Sequence, residues 1–227
     1  MRVVHSDGVT GARGASGTVV VIDVLRAFTV SAYALAGGAV ECRLVAEVDE
    51  ARALADCIDG AVVSAEVEGL PVAGIAISNS PTMVRDADLR GRTLVQRTSS
   101  GTQGVVAAAG AARLFACSLT VASATARAIL AAGPELVTLV ATGTDRGHPE
   151  DTACAAYVEA VLRGERPDLD ALLAPLYRSE RYRTLSGGGF PGFPASDVEL
   201  ALAADRFDFA MPVEADALGL RLRALPT

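Results

Sequence analysis

Apolar and polar positions along the chain alternate between two periods. Thr18 to Asp23 reads TVVVID, a continuous β-branched run expected of a strand buried on both faces. Residues 27–37, AFTVSAYALAG, change to helical spacing and stop at Gly37-Gly38, which reads as a helix C-cap. Strand character returns over 39–47. A helix follows over 48–58, with Asp49 and Glu50 in its first turn, where the macrodipole favours acids. AVVSAE at 61–66 predicts a third strand. Residues 92–118 repeat the order strand, polar turn, Ala-rich helix, strand. A helix over 121–133 closes at Gly133-Pro134, a buried strand spans 135–143, and a helix runs from about Pro149 to Arg163.

Between these elements, 7–17 (DGVTGARGASG) and Glu68–Asp88 read as loops. Segments 18–47 and 93–118 share their order of elements and end in Gly38-Ala39 and Gly110-Ala111. They form a candidate internal duplication, which would set two polar turns across one cleft. The remainder, 164–227, reads as a helical C-terminal region around the loop GGGFPGFP. Ser196 and Glu199 there form a capping box on a helix that runs into a strand. Strands alternating with helices predict a three-layer α/β/α fold, with a largely parallel sheet, in one unit over 1–227.

Composition narrows the chemistry. Among 227 residues, 51% are hydrophobic and mean hydropathy is +0.35, which excludes wholesale disorder. The net charge of −7 argues against a nucleic-acid partner. All 20 basic residues are Arg, so Walker A, Schiff-base and Ser–Lys chemistries are excluded. Cys42, Cys57, Cys117 and Cys154 lie far apart and read as small core residues, not as a zinc cage. With neither a signal peptide nor an apolar run long enough to span a bilayer, the expectation is a cytoplasmic chain with reduced thiols and no membrane partner. Its size and composition fit a homodimer.

Ligands of open α/β sheets bind beyond the carboxyl ends of the strands, which singles out four turns. Asp23 ends the first strand and can hold a metal or attack as a nucleophile; Arg26 can grip an anion bidentately. The competing reading is a helix cap beside a surface ion pair. Glu66 ends the third strand. Arg97, Thr98, Ser99, Ser100, Gly101 and Thr102 form a hydroxyl- and amide-rich turn suited to phosphate, although such turns also serve as ordinary caps. Glu150 and Asp151 open a helix, either as capping acids or as Mg²⁺ ligands. His5, Asp197, Asp205 and Asp208 read as surface or solvated groups.

The segments VVVIDVLRAFT, Asn79-Ser80-Pro81, RTSSGT, Thr142-Gly143 with Glu150-Asp151-Thr152, and DVELALAADRFDFAMPV occur in the order and spacing of one family. The chain thereby resembles the 2-phosphosulfolactate phosphatase (ComB-like) family. That resemblance implies Mg²⁺-dependent hydrolysis of 2-phosphosulfolactate to sulfolactate and phosphate, a step toward coenzyme M. It carries over Asp23, Arg26, Asn79, Ser80, Gly101, Thr102, Glu150 and Asp151 as site residues. Val67 stands where members commonly have Arg after Glu, and Ala76 lies in a segment where an aromatic, Asp and Gly are usual. Ser100 replaces a usual Asn.

The expected mechanism is metal-assisted. Mg²⁺ on Asp23 with Glu150 or Asp151 neutralises the phosphate of a small phosphorylated acid, while Arg26, Arg97 and the 98–102 turn stabilise its oxygens. The residues leave open which group meets a second anion on the substrate. A non-catalytic binder of a phosphorylated or sulfonated acid, or a phosphatase for another phosphorylated 2-hydroxy acid, are the alternatives.

Overall fold

The computed structural model describes residues 1–143 and 147–227. Its strands form a mixed, mostly parallel sheet made of two parallel blocks. The first block holds β1 (Arg2–Asp7), β8 (Leu136–Ala141), β2 (Thr18–Ile22) and β7 (Arg113–Cys117), in that order. The second holds β3 (Glu41–Val45), β6 (Thr93–Arg97) and β4 (Val62–Val67). Between them lies the hairpin β9 (Phe209–Asp216) and β10 (Gly219–Leu222), antiparallel to β7 on one side and to β3 on the other. Three successive antiparallel pairings make the two blocks run in opposite directions. Short strands β5 (Leu70–Pro71) and β11 (Leu225–Pro226) pair antiparallel with β4 and β9.

All five residues of β2 are buried, so both faces of the first block are covered. Helices α1 (Gly8–Gly14) and α5 (Gly101–Ala107) pack together, with α1 on β1 and β8 and α5 on β2. Helices α6 (Ala122–Ala132) and α7 (Pro149–Leu162) also pack together, with α6 on β7 and α7 on β2 and β8. Helix α2 (Ala27–Ala36) is buried from Ala27 to Leu35, which explains why its sequence shows so little of a polar face. Gly133 ends α6 in the left-handed conformation (φ 60°), as the C-cap reading requires. Helix α3 (Val48–Asp56) begins with a capping box between Glu47 and Glu50. Among the described residues, no helix is long and apolar enough to cross a membrane.

Several expectations change. The glycine-rich stretch 7–17 is not a free loop, because it contains α1. Its Gly11 allows close approach: a Cβ there would lie 2.4 Å from Ser6 Oγ. The segment Glu68–Asp88 carries α4 (Pro81–Asp86), with Ser80 accepting from the Met83 amide as its cap. The C-terminal region is helical only in α8 (Leu169–Tyr177), α9 (Glu180–Ser186) and α10 (Ser196–Leu202); its end completes the sheet. Ser196 does not cap α10: Ala195 holds that position, and the Ser196 hydroxyl meets that of Thr82 at 2.8 Å. Cys57 is exposed, unlike the other three cysteines. His5 bonds Glu159 at 2.7 Å.

The similar segments 18–47 and 93–118 cross between the blocks in opposite senses. One runs from β2 through α2 to β3, the other from β6 through α5 to β7. Their turns meet. Gly101, first residue of α5, sits so close to Ala27, first residue of α2, that a Cβ on Gly101 would lie 2.5 Å from the Ala27 Cβ.

The hairpin joins the blocks through Met211, fully buried on β9. Met211→Ala is expected to lower unfolding stability by about 2–5 kcal/mol, the usual cost of an unfilled core site. Leu218→Ala, at an exposed position on the hairpin turn, is expected to change it by less than about 0.5 kcal/mol. Urea denaturation of both variants checks the contrast.

Candidate active site

The end of β2 is the centre of the site. Asp23 is buried, and its Oδ1 accepts from the Ala27 amide at 3.0 Å. The Asp151 carboxylate clasps the two strand ends beside it. Its Oδ1 accepts from Val24 N at 2.7 Å, and its Oδ2 accepts from Gly143 N at 2.9 Å. Both sequence-predicted acids of α7 are therefore turned inward. Glu150 is fully buried and its Oε1 accepts from Arg181 Nε at 3.1 Å, whereas its Oε2 has no hydrogen-bond partner among the described residues.

A cavity of about 210 Å³ lies over this cluster. Asp23, Arg26, Asn79, Ser99 and Ser100, all singled out from sequence, line it. The part of the 143–151 turn at 144–146 lies outside the described residues. Val67 is exposed and Ala76 belongs to a separate groove beside Arg52 and Asp56, so neither position lines the cavity.

Arg26 is held from three sides. Its Nη1 donates to Asp197 Oδ2 at 2.9 Å and to the Gly192 carbonyl at 2.8 Å, and its guanidinium stacks 4.0 Å over the Phe193 ring. Asp197 is not solvated as its sequence suggests: it is fully buried, and its Oδ1 also accepts from Ser80 Oγ and Thr82 N. Ser80 therefore supports Arg26 through Asp197 and does not line the cavity. Removing one partner of such a buried pair typically costs about 3–5 kcal/mol. Asp205, also read as solvated, is exposed as expected and accepts from Ser123 and Tyr157.

Within the 98–102 turn, most polar groups satisfy one another. Thr98 N donates to Thr102 Oγ1 at 2.8 Å, and Thr102 N donates to Thr98 Oγ1 at 3.0 Å. Ser99 N donates to Glu66 Oε1, and Glu66 Oε2 accepts from Gly69 N. Arg97 turns to the carbonyls of Ala46 and Glu66 and lies outside the cavity wall. The amides of Ser100 and Gly101, at the start of α5 and beside Asp23, have no acceptor among the described residues. A Cβ on Gly101 would lie 2.8 Å from Asp23 Oδ2, so only glycine permits this approach.

Crowded carboxylates raise one another's pKa. Burial, with help from Glu66 and Glu150 and against the Ala27 hydrogen bond, pushes Asp23 up to about 6. Burial also raises Glu150 against the pull of Arg181. Asp151 rises well above the usual carboxylate range through burial and the charges of Asp23 and Glu150. Such a cluster, with an unpartnered Glu150 oxygen inside it, has the chemistry of a hard-cation site. Among the described residues no three His, Cys, Asp or Glu side chains gather closely enough to hold a metal by themselves. Mg²⁺, however, commonly uses one or two carboxylates and completes its shell with water and phosphate. Asp23 and Glu150 fit that role better than Asp151, whose two oxygens already serve backbone amides.

Sequence reasoning missed Arg181, Phe193 and the buried role of Asp197, all in the C-terminal region. The DVELALAADRFDFAMPV segment was the available signal for Asp197; Arg181 stands in SERYRT, which carries no recognisable pattern.

The family model of 2-phosphosulpholactate phosphatase matches residues 5–186. A probable 2-phosphosulfolactate phosphatase of Bacillus subtilis (strain 168) is 35% identical over 150 residues, 64% of each chain. One from Carboxydothermus hydrogenoformans is 36% identical over 149 residues, 65% of this chain and 61% of the relative. One from Deinococcus radiodurans is 35% identical over 177 residues, 76% of this chain and 71% of the relative. The chain thus spans just under two thirds of the Bacillus and Carboxydothermus relatives. With the family model covering most of its length, the chain belongs to the 2-phosphosulpholactate phosphatase family.

Proposed function

We propose that the chain is a Mg²⁺-dependent phosphatase that hydrolyses a phosphorylated 2-hydroxy acid, with 2-phosphosulfolactate as the favoured substrate. The observation that carries this reading is the meeting of Asp23 with the amides of Ser100 and Gly101, which have no acceptor among the described residues, near the buried acids of α7. A phosphate needs donors and a matching cation at one point, and here Ser100 and Asp23 line one small cavity, with Gly101 against Asp23 and Glu150 buried nearby. The relatives' names point to the same ester. A cytoplasmic setting is in keeping with four free cysteines.

In this reading the Ser100 and Gly101 amides and Asn79 hold phosphate oxygens. Arg26, fixed by Asp197, Gly192 and Phe193, presents a preoriented positive charge and spends little entropy on doing so. Asp23 and Glu150 would hold Mg²⁺, which when bound supplies charge neutralisation at the phosphate. Phe193 and Leu185 limit water at the cavity wall. Water oxygen joins phosphorus, the ester P–O bond breaks, and the 2-hydroxyl of the acid leaves with a proton.

Phosphate release from 2-phosphosulfolactate is expected to require Mg²⁺ and to stop in EDTA. Asp23→Asn is expected to lower kcat/KM at least 100-fold (roughly 3 kcal/mol of lost stabilisation). Ligand-induced thermal stabilisation without any phosphate release would instead identify a binder. Gly101→Ala should lower kcat/KM similarly, since the added methyl enters the space of Asp23 Oδ2. Overpacking of this kind typically costs about 1–3 kcal/mol of stability, which thermal unfolding of that variant reads separately.

The pKa of Asp23 predicts a signed pH dependence of stability. Between its unfolded value of 3.8 and its folded value of about 6, the native state binds more protons than the unfolded state, so stability falls as pH rises. In EDTA, the melting temperature of Asp23→Asn minus that of the wild type should be near zero below about pH 3, where Asp23 is protonated in both the folded and the unfolded state. It should grow to a plateau above pH 6–7. A difference independent of pH would contradict the assignment.

A further inference from the structure

We propose that Arg181 is the specificity residue that reads a second anionic group on the substrate, a carboxylate or sulfonate. This assignment rests on the phosphatase reading and names what that reading leaves unassigned. Two arginines line the cavity among the described residues, Arg26 and Arg181. Arg97 points to backbone carbonyls, and the chain has no lysine.

The two cavity arginines differ in how far their charge is already used. Arg26 is 3% exposed, paired to the fully buried Asp197 and packed on Phe193. Arg181 has a side chain 26% exposed and meets Glu150 through Nε and Nη2, each at 3.1 Å from Oε1. Its contact with the Leu25 carbonyl is long, at 3.5 Å, and its Nη1 has no partner among the described residues. A guanidinium carries five N–H donors, so Arg181 can keep Glu150 and still receive an anion.

Arg181 also reaches the cavity from a different element than the phosphate donors. The phosphate donors come from the 98–102 turn and from Asn79, whereas Arg181 comes from the first turn of α9, with Leu185 one turn further along the same cavity wall. Ser179 caps α9 by accepting from Tyr182 N, which fixes the register of Arg181. Asp23 and Glu66 are acids of the same lining, which also holds His148 and the polar side chains of Asn79, Ser99 and Ser100. A carboxylate or sulfonate placed against those acids is repelled, whereas at Arg181 it meets an opposite charge with donors to spare, Arg26 being already paired to Asp197. A phosphomonoester without a second anion leaves Arg181 to Glu150 alone and forgoes that contact.

A structural role through Glu150 and a recognition role predict different selectivity. The test is calorimetric titration, in Mg²⁺, of sulfolactate and of inorganic phosphate into the wild type, Arg181→Gln and Arg181→Lys. Steady-state rates on 2-phosphosulfolactate and phenyl phosphate accompany it. Arg181→Gln should lower the sulfolactate-to-phosphate affinity ratio by roughly 10–100-fold, the range for a hydrogen bond to a charged group. The ratio of kcat/KM values should fall alongside, and Arg181→Lys should restore part of both. Ratios that stay constant, however far both absolute values drop, would overturn the proposal and leave Arg181 as a support for Glu150. A wild type that fails to bind sulfolactate at about 10 mM, a Kd well above the ~1 mM of weak specific ligands, would overturn it as well. Selective binding that follows Arg181 without hydrolysis of either ester sinks the phosphatase reading but keeps the anion assignment. Hydrolysis with constant ratios does the reverse.

Discussion

Burying several carboxylates within reach of one another is the constraint around which this structure is organised. Each ionised acid taken from water loses hydration worth many kcal/mol, and neighbouring like charges add to the cost. Asp23, Glu150 and Asp151 are nevertheless packed at the junction of β2, β8 and α7. Asp151 is compensated by two backbone amides and Glu150 in part by Arg181, while Asp23 receives a single amide. What remains is a deficit of positive charge facing a small cavity. In the proposed reading that deficit would receive a cation, with an anion sharing it at the amides of Ser100 and Gly101.

The rest of the fold holds that cluster in place. The two parallel blocks run in opposite directions, and the hairpin β9–β10 is what lets them share a sheet. The chain crosses between the blocks twice, and the starts of α2 and α5 are thereby brought together at Ala27 and Gly101. Asp197 adds a second anchor. By binding Arg26, Ser80 and the Thr82 amide at once, it ties the ends of β2, α4 and α10 into one rigid corner. The Gly192 carbonyl joins Arg26 and Ser78 to the same corner, so the aromatic loop 190–193 forms a wall of the site and not a free surface strand.

Much of this was legible in the sequence, and the pattern of what was not is physically informative. Buried β-branched strands such as TVVVI and helix stops such as Gly133 follow from local rules, and each appears where the spacing placed it. Asp23, Arg26 and the Ser99–Gly101 turn were legible because strand ends in α/β folds carry ligand chemistry. Roles set by long-range contact were not. Arg97 looked like a phosphate ligand because its neighbours in sequence are hydroxyls, but its partners are carbonyls of Ala46 and Glu66. Asp197 looked solvated because it sits near the start of a polar helix, and only tertiary packing buries it. The glycines of 7–17 suggested looseness, whereas Gly11 serves close packing of α1 on Ser6. Arg181 has no local signature, since its meaning comes wholly from Glu150 and the cavity beside it.

The central claim is that the buried acids constitute a cation site whose protonation opposes metal binding. Titration of Mg²⁺ into the metal-free protein at pH 6, repeated in buffers of different ionisation enthalpy, measures affinity and proton release together. The account predicts saturable binding that releases protons, because the metal displaces them from carboxylates that burial holds protonated, and it predicts loss of both signals in Asp23→Asn and Glu150→Gln. Binding with no proton release, or binding undisturbed by either substitution, would contradict it.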